Sequence, residues 1–154
     1  MRVVLDTNIL ISALLIQVGH PAVIYRAWQE GAFTLLVCAE QLDELRATLR
    51  KPAIAARIKP HNAGRLVNQL KDLGQLVGPL PHVKRSPDPT DDFLLALSEA
   101  AQADYLVTGD KTVLLPLVRH KTTRIIARRC TSLSSVICVR DIMMAPSYQH
   151  DSFP

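Results

Sequence analysis

Short runs of apolar residues alternate along this chain with longer stretches in which apolar side chains recur every three or four residues. Short runs rich in branched residues are typical of buried strands, and the longer periodic stretches are typical of helices. The predicted strands are residues 3–5, 33–38, 76–77, 80–83, 105–108 and 124–127. The predicted helices are residues 8–16, 21–28, 40–50, a short helix opened by Pro52, 62–73 and 91–102. This alternation predicts an α/β fold with a mainly parallel sheet.

Chain length and hydrophobicity favour a single domain. With 154 residues and 48% hydrophobic content, the sequence can bury one sizeable core. We expect this domain to span residues 1–144, with the weakest pattern in residues 129–144 and a candidate strand at 136–139. Residues 145–154 are predicted to form a loose tail.

The sequence shows no pattern for membrane insertion or export. Its apolar stretches are much shorter than the roughly 20 residues that a membrane span needs. The chain passes from Met1 and Arg2 directly into a predicted strand, without a signal-peptide pattern. The three cysteines have no CxxC spacing, which favours reduced thiols over a disulfide or a zinc site. We therefore expect a cytoplasmic protein without a membrane partner.

Four acidic residues follow predicted strands or lie where the next helix begins. Asp6 follows the first strand, and Asp110 follows the strand at 105–108. Glu44 lies early in the helix after the second strand, and Asp92 stands at the start of a helix. An alternating fold gathers these positions at one edge of one sheet, where carboxylates resist ionisation unless a cation holds them. Because Mg²⁺ and Mn²⁺ prefer oxygen ligands, the sequence predicts such an ion at this edge.

Basic stretches flank this acidic centre. The net charge is +4, and residues 45–71 and 111–140 each contain seven basic residues and no acid. Such a distribution suits a polyanion that lysine and arginine bind while a metal ion acts on its phosphate. The alternative is that these basic side chains are only the solvated faces of helices. The candidate contacts to the polyanion are Arg50, Lys51, Arg57, Lys59 and Lys111.

Four short motifs stand in a fixed order along the chain. They are LDTNIL at 5–10, LDEL at 42–45, SPDPTDD at 86–92 with Ala96 downstream, and VTGDK at 107–111. As an ordered set within about residues 1–127, they resemble the motifs of the PIN-domain ribonucleases. The likeness is strongest to the bacterial branch that forms the toxin components of toxin–antitoxin pairs.

This resemblance implies a fold, an activity and a set of site residues. The fold is a three-layer α/β/α sandwich with a mainly parallel sheet, and the activity is Mg²⁺- or Mn²⁺-dependent cleavage of RNA. The residues implied as metal ligands and catalytic groups are Asp6, Glu44, Asp92 and Asp110. Asn8 or Thr7 is implied as the polar neighbour that orients Asp6. The expected partners are an RNA substrate, a protein antitoxin and further copies of this chain.

Two features depart from the family pattern. Many family members carry a further acid two residues after the one that matches Asp110, whereas this chain has Thr112 there. We therefore expect a second metal ion to bind weakly or not at all. The sequence after Arg128 also differs from the short ending expected of the family.

Each acid also has a purely structural interpretation. Asp6 or Asp110 could cap the helix that follows it, and Glu44 could simply face solvent. Asp91 and Asp92 are adjacent, so only one of them is expected to point into the site. The motif favours Asp92 and leaves Asp91 or Thr90 as the cap of the helix.

Two other functions stay open at this point. A phosphatase or phosphoacceptor domain could form a phospho-aspartate at Asp6, although such domains carry a second acid where this chain has Asn8. A non-catalytic RNA-binding relative could retain the acids for folding alone. Nuclease activity compared between the wild type and Asp6→Asn would separate this relative from an enzyme.

Overall fold

The strands form where short apolar runs can be buried on both sides, and helices fill the intervals between them. The computed structural model describes residues 1–128. The strands are β1 (Arg2–Leu5), β2 (Thr34–Val37), β3 (Gln75–Leu76), β4 (Tyr105–Thr108), β5 (Arg119–His120) and β6 (Thr123–Ala127). The helices are α1 (Thr7–Leu15), α2 (His20–Gln29), α3 (Ala39–Leu49), α4 (Pro52–Ala55), α5 (Pro60–Leu73) and α6 (Asp92–Ala100). Short 3-10 turns at Pro89–Asp91 and Leu115–Leu117 precede α6 and β5.

The six strands form one sheet in the order β3-β2-β1-β4-β6-β5. All neighbouring strands are parallel except β5, which is antiparallel to β6. The carboxyl ends of β1 and β4 lie side by side at the centre, because Leu5 is in register with Val107. The residues that follow these two strands therefore emerge together at one edge of the sheet.

Alternate residues of the central strands enter two cores on opposite faces of the sheet. Val3 and Leu5 of β1 pack into one core with residues of α1, α2, α3 and α5. Val4 packs into the other core with Leu94 and Leu95 of α6. The sheet therefore lies between two helical layers, and the predicted α/β/α sandwich is confirmed.

The predicted helices are all present, with bounds that differ by up to two residues. The strand predicted at 80–83 was wrong: this segment is irregular, and Pro81 has no amide hydrogen for a strand ladder. Leu80 and Val83 pack instead against the core beside α6. Strand β5 was not predicted, because its two residues are polar and form no apolar run. The candidate strand at 136–139 and the tail at 145–154 lie outside the described residues.

Helices α1 and α2 are the most apolar pair in sequence around the first core. Within residues 1–128, no single helix is long and apolar enough to cross a membrane. Together α1 and α2 reach that length and composition, but they are bent by 101° at the break between them. Their residues Ile9, Ile24 and Trp28 are buried in the first core.

Helix α6 ends in a Schellman motif that has glutamine at its left-handed position. The amide of Ala103 donates to the carbonyl of Ser98, and the amide of Gln102 donates to that of Glu99. Gln102 has a φ of 50°. This left-handed conformation costs a non-glycine residue about 1–2 kcal/mol.

We predict that Gln102→Gly raises the free energy of unfolding by about 0.5–1 kcal/mol, because glycine adopts this left-handed conformation without strain. The greater backbone entropy that glycine loses on folding offsets only part of this gain. Urea denaturation followed by circular dichroism measures the change. Gln102→Ala is the matched control, since it shortens the side chain but keeps the strain. An equal gain in both variants would contradict the assignment of strain to this position.

Candidate active site

Four elements deliver acidic side chains to the carboxyl edge of the sheet. Asp6 follows β1, and Asp110 follows β4 after a single glycine. Glu44 lies on α3, which begins directly after β2. Helix α6 precedes the parallel strand β4, so its first turn and the residue before it, Asp91, lie at the same edge.

Asp6 is buried, with 5% of its surface exposed, and both of its carboxylate oxygens accept hydrogen bonds. The hydroxyl of Thr108 donates to Oδ2 at 2.7 Å, and the backbone amide of Asn8 donates to Oδ1 at 3.1 Å. Burial raises the pKa of Asp6 above its ordinary value; these two hydrogen bonds oppose the rise, and the negative charge of Asp110 adds to it. Asp6 thus caps α1, as its structural interpretation requires, and also faces Asp110.

Thr108 connects the ends of the two central strands. Its side chain is fully buried at the end of β4. While its hydroxyl donates to Asp6, the same oxygen accepts the backbone amide of Asp110 at 3.0 Å. The sequence analysis did not single out Thr108, although its place within the VTGDK motif was visible.

Asp110 is held by the turn that follows it. Its Oδ1 accepts the amide of Thr112 at 2.8 Å, the hydroxyl of Thr112 at 2.9 Å and the amide of Val113 at 3.0 Å. Burial raises the pKa of Asp110, but the hydrogen bonds from Thr112 and Val113 together outweigh it, so the pKa lies below its ordinary value. Thr112 therefore fixes Asp110 through both its amide and its hydroxyl.

The neighbours predicted to orient Asp6 act differently in the structure. The buried Thr7 donates its hydroxyl hydrogen bond to Glu44, so it orients Glu44 rather than Asp6. Asn8 contacts Asp6 through its backbone amide, and Asn8 itself is exposed. Glu44 is consequently held toward α1 instead of facing bulk solvent alone.

The direction predicted for Asp92 differs from the one that the structure shows. Asp92 accepts the backbone amides of Arg85 at 3.1 Å and Ser86 at 2.7 Å, so its carboxylate is directed at the preceding loop. Asp91 occupies the N-cap position of α6, as one predicted alternative has it, but its side chain makes no capping hydrogen bond. Asp88 caps the 3-10 turn before α6, where it accepts the amide and the hydroxyl of Thr90. The choice of Asp92 is therefore corrected: Asp91 is the acid that faces the others.

Burial and neighbouring negative charges raise the pKa of Asp91 from 3.8 to about 6. The charges that contribute, after burial, belong to Asp6, Asp88, Asp110 and Glu44. This shift identifies the acid cluster, which we define as Asp6, Glu44, Asp91 and Asp110. Within the described chain, no lysine, arginine or histidine forms a salt bridge with any of the four.

The oxygen donors of the acid cluster have the chemistry that Mg²⁺ or Mn²⁺ prefers. Among residues 1–128, however, no three such side chains converge closely enough to enclose an ion. Oxygens of Asp6, Glu44 and Asp110 accept hydrogen bonds from threonines in this arrangement. The donor set fits a divalent ion, and binding would require some of these side chains to rotate.

The predicted polyanion contacts are all exposed and lie in two places. Lys111 follows Asp110 directly, beside the acid cluster. The other four lie around α4 and the ends of α3 and α5, and are Arg50, Lys51, Arg57 and Lys59. Arg50 also lines a groove of about 570 Å³ between α3 and α5, whose floor includes Leu49, Ile58 and Val67.

We predict that Asp91→Asn is more stable than the wild type at pH 8 without divalent ions, by an amount on the order of 1 kcal/mol after allowance for solvent screening. Because the folded-state pKa of Asp91 is raised to about 6, protonation of Asp91 stabilises the folded state. This contribution to stability is complete below about pH 4 and is lost as the pH rises through 6. The advantage of the variant should therefore vanish between pH 6 and about pH 4. Urea denaturation in EDTA at several pH values measures it. Asp92→Asn is the matched control, and the same gain there would contradict the assignment.

Comparison with known proteins agrees with this architecture. Residues 2–112 match the PIN domain family. No curated protein gives a match to the sequence. Among solved structures, the chain is similar to VapBC2 from Rickettsia felis bound to a DNA fragment from their promoter, with a TM-score of 0.53 and 15% identity over 82% of this chain and 98% of that chain. At that identity the likeness shows a shared fold, whereas the family match spans most of the sequence: this protein belongs to the PIN domain family.

Proposed function

We propose that the protein is a Mg²⁺- or Mn²⁺-dependent endoribonuclease whose active site is the acid cluster. The observation that carries this proposal is the convergence of four acids at one edge of the sheet, where β1 and β4 pair in register and α3 and α6 begin. The raised pKa of Asp91 agrees with this convergence. Stability of the fold does not require four carboxylates at one edge, and no cation of the described residues forms a salt bridge with them. A divalent ion would relieve their repulsion and give the site its chemistry.

The residues of the chain would prepare this site in different ways. Asp6 is the most rigid acid, because Thr108 and the amide of Asn8 fix both of its oxygens. Glu44 and Asp110 each have one oxygen held by a threonine, which leaves the other oxygen for an ion. Asp91 has no such hydrogen bond and its pKa is raised to about 6, so below that pH ion binding there would release a proton.

A bound Mg²⁺ or Mn²⁺ supplies a Lewis acid for a phosphate oxygen and lowers the pKa of a coordinated water. The side chains of the acid cluster would hold the ion and orient the phosphodiester against it. Lys111, which is exposed and follows Asp110 in the sequence, would contact a neighbouring phosphate.

We also propose that the protein is the toxin of a toxin–antitoxin pair and binds a protein antitoxin. The resemblance of its motifs to the toxin branch supports this, as does the fold that it shares with VapBC2. The apolar floor of the groove between α3 and α5 is a surface that a protein helix could cover. Its exposed basic surroundings suit RNA equally well, so the two partners need separate tests.

A non-catalytic relative that retains the acids for folding is the second candidate. Asp6 caps α1, Asp110 caps a turn and Glu44 accepts a hydrogen bond from Thr7, so three of the four acids have structural partners. Asp91 has none of these and is the residue that this candidate leaves unexplained.

We predict that Asp6→Asn and Asp91→Asn each reduce Mn²⁺-dependent RNA cleavage at least 100-fold, because each removes a charge that holds the ion. Asp92→Asn should retain more activity than either, since its carboxylate faces the loop amides rather than the cluster. Cleavage of a labelled single-stranded RNA across a Mn²⁺ titration measures all three. Full activity in Asp91→Asn would overturn the assignment, and inactivity of the wild type would favour the non-catalytic candidate.

A quadruple alanine variant tests the basic surface, and it replaces Arg50, Lys51, Arg57 and Lys59. If these residues bind RNA, affinity should fall for every RNA sequence and the salt dependence should flatten by roughly 0.7 per lost phosphate contact. Fluorescence anisotropy at several salt concentrations measures the slope, and light scattering on the same variant measures its mass. An unchanged slope with an altered mass or altered antitoxin capture would assign the surface to protein association instead.

A further inference from the structure

We propose that Arg85 is a positioning residue for Asp91, because it connects the segment at residues 78–90 to α6 and β5. This inference rests on the proposed function, since it concerns how one member of the acid cluster is placed. Arg85 is six residues before Asp91, and the chain between them forms the loop that leads into α6.

The segment at 78–90 has few contacts of its own to hold it. Its four prolines, at positions 79, 81, 87 and 89, lack amide hydrogens. In the described structure, no backbone amide from 78 to 86 donates to a carbonyl of the sheet or of a helix. Leu80 and Val83 provide apolar contacts to the core beside α6, but both precede Arg85. The loop that ends at Asp91 therefore depends on polar contacts made at and after Arg85.

Helix α6 holds the backbone of Arg85 through Asp92. One oxygen of Asp92, Oδ1, accepts the amides of both Arg85 and Ser86, at 3.1 and 2.7 Å. These two bonds close the loop onto the first turn of α6, directly beside Asp91. Asp92 thus acts on the loop geometry while Asp91 faces the acid cluster.

The side chain of Arg85 is held by His120 of β5. A guanidinium nitrogen, Nη1, lies 3.0 Å from Nδ1 of His120. Because a guanidinium can only donate, Nδ1 must be the unprotonated acceptor, and the ring hydrogen is on Nε2. That nitrogen lies 3.1 Å from Oε2 of Glu99, which is on α6. Each ring nitrogen of His120 therefore has a hydrogen-bond partner.

Helix α6 consequently holds Arg85 twice, at its backbone through Asp92 and at its side chain through Glu99 and His120. Glu99 also accepts a hydrogen bond from Lys121, which fixes the carboxylate that His120 contacts. His120 is 5% exposed, so loss of the guanidinium would leave its buried Nδ1 without a protein donor. The arrangement favours one placement of the loop and hence of Asp91.

The test compares Arg85→Gln and Arg85→Ala with Lys84→Ala, which removes the neighbouring exposed cation from the same segment. We expect Arg85→Ala to raise the Mn²⁺ concentration for half-maximal RNA cleavage about tenfold, the lower end of the loss caused by removing residues that support metal ligands. The exchange rate of the Ser86 amide, measured by NMR, should rise about tenfold as well. Arg85→Gln, which keeps a donor, should recover part of both losses, and Lys84→Ala should change neither.

The connection through His120 is tested by His120→Ala and by the double variant with Arg85→Ala. If the two residues act together, the double variant should need no more Mn²⁺ for half-maximal cleavage than the more impaired single variant. If they act independently, the fold-changes of the two single variants should multiply. Unchanged Mn²⁺ dependence and amide exchange in Arg85→Ala, in a wild type that cleaves RNA, would overturn this inference alone. A wild type that neither binds Mn²⁺ nor cleaves RNA would overturn the proposed function first, and the inference with it.

Discussion

Mutual repulsion among carboxylates is the constraint around which the edge of this sheet is arranged. Parallel pairing of β1 and β4 brings the residues after both strands together, and the crossover helices add acids from α3 and from the start of α6. In the described residues this charge meets threonine hydroxyls and backbone amides rather than cations. Hydrogen bonds to a carboxylate stabilise its ionised form, so each donor offsets part of the repulsion.

The hydrogen bonds from these donors are unequally distributed among the acids, and the pKa values of the acids differ accordingly. Asp110 has three hydrogen bonds from Thr112 and Val113 on one oxygen, and its pKa lies below its ordinary value. Asp91 makes no capping hydrogen bond, and burial together with the negative charges of its neighbours raises its pKa to about 6. Asp91 is therefore the member of the acid cluster with the fewest hydrogen bonds to offset the repulsion. A residue of this kind gains most from a cation, which links it to the proposed function.

The sequence predicted the elements whose pattern is local. Residues such as Val3, Val4 and Leu5 must be apolar at every position because both faces of the sheet are covered, and this makes a central strand readable. Strand β5 was not readable, since its two polar residues are held by pairing with β6. The segment at 80–83 has a strand-like composition, but Pro81 and the packing of Leu80 and Val83 against the core beside α6 keep it irregular.

The sequence likewise predicted the acidic motifs as a set, but it could not predict the direction in which each side chain points. Asp91 and Asp92 differ by about 100° around a helix axis, so the start of α6 decides which of them faces the cluster. That start depends on Asp88 and on the amides of Arg85 and Ser86, which are contacts within a loop without a sequence period. Thr108 was not predicted as a site residue for a similar reason. A threonine at the end of a strand is common, and only the pairing of β1 with β4 shows that this one lies against Asp6.

Thr112 limits the negative charge at the edge of the sheet. An acid at this position would add a fifth carboxylate to the edge and increase the repulsion there. Threonine instead donates to Asp110 through both its amide and its hydroxyl. Threonine carries no charge itself, and its hydrogen bonds stabilise the ionised carboxylate of Asp110. The edge therefore carries four carboxylates rather than five, and a cation that binds there would have less negative charge to balance.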